Sequence, residues 1–275
     1  MNRVLSVCMA LCFTIAPATV QAEITAPIVY LDRATPSVSL NINGKEIDKI
    51  EIDTGASAAF YLPQSVFDSI FQEQKIRTTT TQSYDIFGVE SSTVTASPAN
   101  ITVNGKSLSN VDIEILKPWG NGGMLDDNGQ LRINGVLGLG VAKNKTLVID
   151  YASKMLTITD NLKTLPAGYR WQSIPFTREK HGIEIKVQSD NKKIYRMVID
   201  TGASHTVLFS KEGCIDFSRA CPKKTIVTPD GIKLSALLLQ VTDDRINFDG
   251  LLGDDFLSNR VLIISNDRLM ISLPK

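Results

Sequence analysis

Five residues, Asp-Thr-Gly-Ala-Ser, occur twice in this chain, at 53–57 and again at 200–204. Each copy follows an apolar run, Lys49-Ile50-Glu51-Ile52 in the first and Arg196-Met197-Val198-Ile199 in the second. A second matched pair lies downstream: Asn134-Gly135-Val136-Leu137-Gly138 and Asp249-Gly250-Leu251-Leu252-Gly253. Apolar strands then follow, Thr146–Asp150 and Val261–Ser265, and each half closes on a further short strand, Met155–Thr159 and Leu269–Leu273. Self-similarity of this kind is the signature of a duplicated unit, and it constrains the fold more than any local propensity. The two units are expected to join near 161–173, where Pro166 and Gly168 punctuate a polar stretch, giving domains over 23–165 and 166–275.

Within each unit the pattern is that of β-structure. Ser37–Ile42 and Ile183–Val187 alternate apolar and polar residues with period two. Asn43-Gly44 is a hairpin turn signal. Helix is expected only over 63–71 and, with Asp254 as its cap, over 254–259. The halves are unequal: 85 positions separate Asp53 from Gly138, but only 53 separate Asp200 from Gly253. The fold class expected is all-β, in two lobes built by internal duplication.

The N-terminus reads as a leader. Arg3 is followed by an apolar run over 4–16, Pro17 breaks it, and Val20-Gln21-Ala22 sets small residues at a cleavage point. Residues 1–22 are therefore expected to be a signal peptide, which places the mature chain in the periplasm or outside the cell without a membrane anchor. Cys8 and Cys12 leave with it, and Cys214 and Cys221 are expected to bridge in an oxidising compartment. With only His181 and His205 besides, no metal-ligand cluster is expected. Lys plus Arg and Asp plus Glu both number 29, which disfavours nucleic acid or an anionic membrane as partner.

The chemistry sits in the repeat. An aspartate that ends an apolar strand is presented at a loop tip. Gly55 and Gly202 allow two such loops to approach without Cβ clashes. Thr54 and Thr201 can bond the opposite loop through their hydroxyls. Two carboxyls brought together share a proton, so Asp53 and Asp200 can divide the roles of general base and general acid. No Gly-x-Ser-x-Gly elbow or phosphate loop offers other chemistry.

The two Asp-Thr-Gly-Ala loops, with Gly250–Leu257 behind the second, resemble those of the pepsin and retropepsin clan of aspartic proteases. The resemblance covers both halves. It implies catalysis by Asp53 and Asp200, loop support from Thr54, Gly55, Thr201 and Gly202, no cofactor, and a cleft for an extended peptide. It also implies hairpin flaps, for which the candidates are 84–90 with Gly88 at the tip and 227–233 with Gly231 in the turn. Ala56 and Ala203 depart from pepsins, which carry a hydroxyl residue there. A duplicated chain completes its own site, so a monomer is expected. The rival expectation is a catalytically silent peptide-binding or scaffolding protein of the same fold.

Overall fold

The computed structural model describes residues 23–31, 35–71, 76–84, 90–118, 124–160, 162, 164–215, 220–241 and 245–273. The leader expected over 1–22 lies outside them. The first half runs through β1 (Glu23–Pro27), β2 (Val29–Leu31), β3 (Thr35–Ile42), β4 (Lys45–Asp53) and β5 (Phe60–Leu62) to helix α1 (Gln64–Phe71). It continues through β6 (Thr78–Tyr84), β7 (Glu90–Val103), β8 (Lys106–Ile115), β9 (Gly135–Gly138), β10 (Thr146–Asp150) and β11 (Met155–Thr159). The second half comprises β12 (Trp171–Ser173), β13 (Phe176–Glu179), β14 (Gly182–Ser189), β15 (Ile194–Ile199), β16 (Val207–Cys214), β17 (Lys223–Val227), β18 (Lys233–Leu239) and β19 (Gly250–Leu252). A one-turn helix, α2 (Asp254–Leu257), then leads into β20 (Val261–Ile264) and β21 (Leu269–Ser272). The chain is thus predominantly β.

Local sequence accounts for the punctuation. Asn43-Gly44 and Asn104-Gly105 turn with φ of 48° and 83°, and 48° and 73°. Such left-handed pairs suit the twist of hairpin strands and favour Asn-Gly. Helix α1 buries Phe67, Ile70 and Phe71 on one side, as its apolar spacing predicts. At α2 the expectation fails in detail: Gly253 occupies the cap position with no side-chain bond, and Asp254 is the first helical residue.

Three sheets result. An eight-stranded sheet, in the order β2-β3-β4-β9-β5-β8-β7-β6, is built from the first half alone, and a seven-stranded sheet, β13-β14-β15-β19-β16-β18-β17, from the second. Their wiring is the same. β9 lies parallel to β4 and antiparallel to β5, which is parallel to β8. β19 lies parallel to β15 and antiparallel to β16, which is parallel to β18. The third sheet takes three strands from each half in the order β1-β11-β10-β20-β21-β12. At its centre β10 and β20 run antiparallel, with Val148 opposite its own repeat counterpart Ile263. A local two-fold axis passes through that pair. One continuous apolar cluster joins residues of all three sheets, including Leu40, Ile52, Ile149, Ile199 and Leu262.

Candidate active site

Each half delivers one aspartate to the same point. β4 is held between β3 and β9, in register Asp53↔Gly138. In the second half the Asp200 amide donates to Leu252 O (3.0 Å), continuing the β15–β19 ladder. Ile52 and Ile199 are fully buried immediately before the two aspartates, so each strand end is fixed by core packing.

The loops are locked to one another by a reciprocal pair of threonines. Thr54 Oγ1 donates to Ile199 O (2.7 Å) and accepts from Thr201 N (3.1 Å). Thr201 Oγ1 donates to Ile52 O (2.7 Å) and accepts from Thr54 N (3.0 Å). Both side chains are 1% exposed, so none of these groups has water as an alternative. Leaving a buried partner unsatisfied costs about 1–3 kcal/mol per group. Thr54→Ala or Thr201→Ala strands one N–H and one C=O, and each is expected to lower stability by about 2–4 kcal/mol. Denaturant unfolding checks this, and Thr201→Ser should recover most of the loss.

The carboxyls are in contact distance of the facing loops. A Cβ on Gly55 would stand 3.1 Å from Asp53 Oδ1 and 3.2 Å from Asp200 Cγ, and one on Gly202 would stand 3.1 Å from Asp53 Cγ and 3.3 Å from Asp200 Oδ1. Each glycine therefore lies against both carboxyls, and a larger residue would push them apart. Behind the loops, Leu139 N donates to Ala56 O and Asp254 N to Ala203 O, both at 2.7 Å. A Cβ on Gly253 would stand 2.5 Å from Ala203 O. One on Gly138 would stand 2.7 Å from Ala56 O and closer still to Ala58 O. The matched apolar-apolar-Gly segments thus form the bed on which the two aspartate loops rest.

Electrostatics follow from this crowding. Gly55 N donates to Asp53 Oδ1 (2.8 Å), while Gly202 N and Ala203 N donate to Asp200 Oδ1 (2.9 and 3.2 Å). Burial pushes the Asp53 carboxyl well above the ordinary carboxylate range, reinforced by the charges of Asp200 and Glu51 and by its hydrogen bond to Asp200. Burial also raises Asp200, but the bond from Asp53 and the two backbone N–H groups oppose it. The pair therefore holds its shared proton above the ordinary carboxylate range, and the second backbone N–H at Asp200 favours the charge on that carboxyl. Glu51 is pushed up to about 7, first by burial and then by Asp200.

The remaining expected site residues are placed as follows. Gly88 lies outside the described residues. The Gly231 turn is not a flap over the site. It is fastened to the six-stranded sheet, where Gln172 Nε2 of β12 donates to Pro229 O (3.0 Å) and Asp230 forms a buried ion pair with Arg260 (2.7 Å) at the entry to β20. Its topological counterpart is the Asn104-Gly105 turn, pinned in the same way by Asn104 Nδ2 donating to Thr25 O of β1 (3.1 Å). The Asp-Gly signal marks a turn but carries no information about which surface the turn meets. Cys214 and Cys221 form a disulfide with Cα atoms 5.3 Å apart. His181 stacks on Phe248 (4.5 Å) and His205 pairs with Ser204 Oγ (2.9 Å). Among the described residues no group of three His, Cys, Asp or Glu could hold a metal, and no helix is long and apolar enough to cross a membrane. Glu51 was not among the expected site residues, although aligning the two repeats sets it opposite Val198.

Compared with known protein families the chain matches none, and a search of curated proteins returns no match.

Proposed function

We propose that the protein is an aspartic endopeptidase of the pepsin and retropepsin kind, a single two-lobed chain whose dyad is Asp53 and Asp200 and which works outside the cytoplasm. The observation that carries this reading is the pair of carboxyls held against both Gly55 and Gly202 by reciprocal threonine hydrogen bonds. Binding modules have no need to force two like charges together at this cost. In this reading the eight- and seven-stranded sheets are the lobes, divided near 165/166, and the shared sheet is their floor. The Cys214–Cys221 bridge supports an oxidising compartment.

The proton inventory suits hydrolysis of an amide. The Asp200 carboxylate takes a proton from a water molecule, whose oxygen attacks the carbonyl carbon. Asp53 gives its proton to the carbonyl oxygen, leaving a neutral gem-diol. On collapse Asp53 retrieves a proton from a diol hydroxyl, the C–N bond breaks, and Asp200 passes its proton to the departing amine. The dyad ends with one proton, as it began. The pair must hold a single proton for this cycle, and the upward shift of both carboxyls lets the pair keep that proton above the ordinary carboxylate range.

The test is digestion of a mixed peptide library by the purified protein, with and without a statine-type inhibitor. Cleavage that the inhibitor blocks is expected. Peptides bound but left intact would favour a catalytically silent binding protein instead.

A further inference from the structure

Across the repeat, Glu51 occupies the place of Val198. Each stands two residues before an aspartate on a strand, and so on that aspartate's face of the sheet. Val198 is 1% exposed and packs with Val207, Phe248 and Leu251. On the first half the same face carries Val136, directly beside Glu51 on β9, and Tyr61, directly beside Val136 on β5. These two pack with Ala56, Leu116 and Ile133. A half-buried glutamate thus interrupts an otherwise apolar wall that adjoins the dyad.

Glu51 makes no hydrogen bond or ion pair among the described residues. The ionisable groups that face it are Asp53 on its own strand, Asp200 from the opposite loop, Tyr61 on β5 and, one strand further, Glu114 on β8. No lysine, arginine or histidine among the described residues pairs with it. A carboxylate placed against apolar side chains and two other carboxyls is costly when ionised, so it either holds a proton or is stabilised by a cation that comes beside it. Among the described residues no cation stands beside Glu51, and the position adjoins the reacting groups.

We propose that Glu51 is a specificity-determining residue that receives the cationic side chain of a substrate lysine or arginine beside the scissile bond, the aliphatic stem lying along the partly exposed Ala56 and Tyr61. Long basic side chains are built for such a setting, with an apolar stem and a charged head. This rests on the endopeptidase reading. Entry of a cation favours ionised Glu51, whose carboxyl is otherwise held up to about 7, so the preference for a basic residue grows as pH rises through that value.

The experiment compares two peptides that differ only in lysine against norleucine at a residue flanking the scissile bond, each flanking position being tried. The readout is the ratio of their kcat/KM values at about pH 5.5 and about pH 7.5. For the unaltered protein the ratio is expected to favour lysine roughly tenfold or more at the higher pH, and to shrink at the lower. Glu51→Gln and Glu51→Val should bring it close to one at both. Cleavage with no lysine preference, or a ratio unmoved by both variants, overturns the proposal. So does equal loss of both peptides in both variants, which would assign Glu51 to the dyad rather than to selectivity. Cleavage of neither peptide, nor of any library peptide, by the unaltered protein overturns the endopeptidase reading itself and the proposal with it.

Discussion

Asp53→Asn or Asp200→Asn alone is expected to lower kcat for peptide cleavage by about a thousandfold or more while raising the melting temperature at neutral pH. The first effect follows because one proton donor and one acceptor are both needed, and groups acting as a unit are not lost in halves. The second follows from linkage. Both carboxyls have folded-state pKa values above their unfolded values. The native chain therefore holds protons more tightly than the unfolded chain, and its stability falls as pH rises from the ordinary carboxylate range through the folded values. The asparagine variants escape that loss. Their advantage should be large at about pH 8 and disappear only below about pH 3, under the ordinary carboxylate range, where the carboxyls are protonated in the folded and unfolded chain alike. Thermal unfolding across this range, beside rate measurements, checks both parts. Substantial cleavage by either variant with an unchanged fold would refute the shared dyad.

Arg260→Met is expected to destabilise the protein by about 3–5 kcal/mol, the usual cost of stranding one member of a buried ion pair. Arg260 and Asp230 side chains are 5% and 1% exposed, with Nη1 to Oδ2 at 2.7 Å. The guanidinium also donates to Ser272 O (3.3 Å) and lies 4.6 Å from the Phe256 ring centre. Methionine keeps much of the packing and removes the charge. Adding Asp230→Asn should restore a good part of the loss, because the orphaned charge goes with it, although Thr228 Oγ1 must then share an amide. Chemical denaturation of the two single variants and the double variant gives the coupling directly. Equal stability of Arg260→Met and the unaltered protein would mean that the 228–232 turn is held by Gln172 and not by the ion pair.

Much of the site was legible because it is local and repeated. Asp53-Thr54-Gly55 and Asp200-Thr201-Gly202 carry their chemistry within three residues, and their duplication implies a two-fold meeting point. The hydrogen-bonding Thr54 and Thr201 follow from residue type once the loops face each other. The shared sheet was not legible. Thr146–Asp150 and Val261–Ser265 read as buried strands, but apolar composition does not name a strand's partner, and β10 meets β20 across more than a hundred residues. The Gly231 turn failed for a related reason: Asp230 looks like a solvent-facing turn residue until Arg260, distant in sequence, is seen to bury it. Glu51 was visible in the repeat alignment as a charge set against Val198, yet its meaning depends on Val136 and Tyr61, which only the β9 and β5 pairings bring alongside.

The pairing of Val148 with its own counterpart Ile263 is the contact that two separate copies of one half would make about a two-fold axis. Assembly of such copies would depend on concentration, and both would carry the same residue at every position. Joined through 160–171, one half sees the other at an effective concentration on the order of millimolar, so dilution does not dismantle the carboxyl pair. The tether also releases the two sides from identity. A glutamate can stand on one side of the axis with a valine on the other, and a site made by symmetry acquires a direction along which it can tell one end of a substrate from the other.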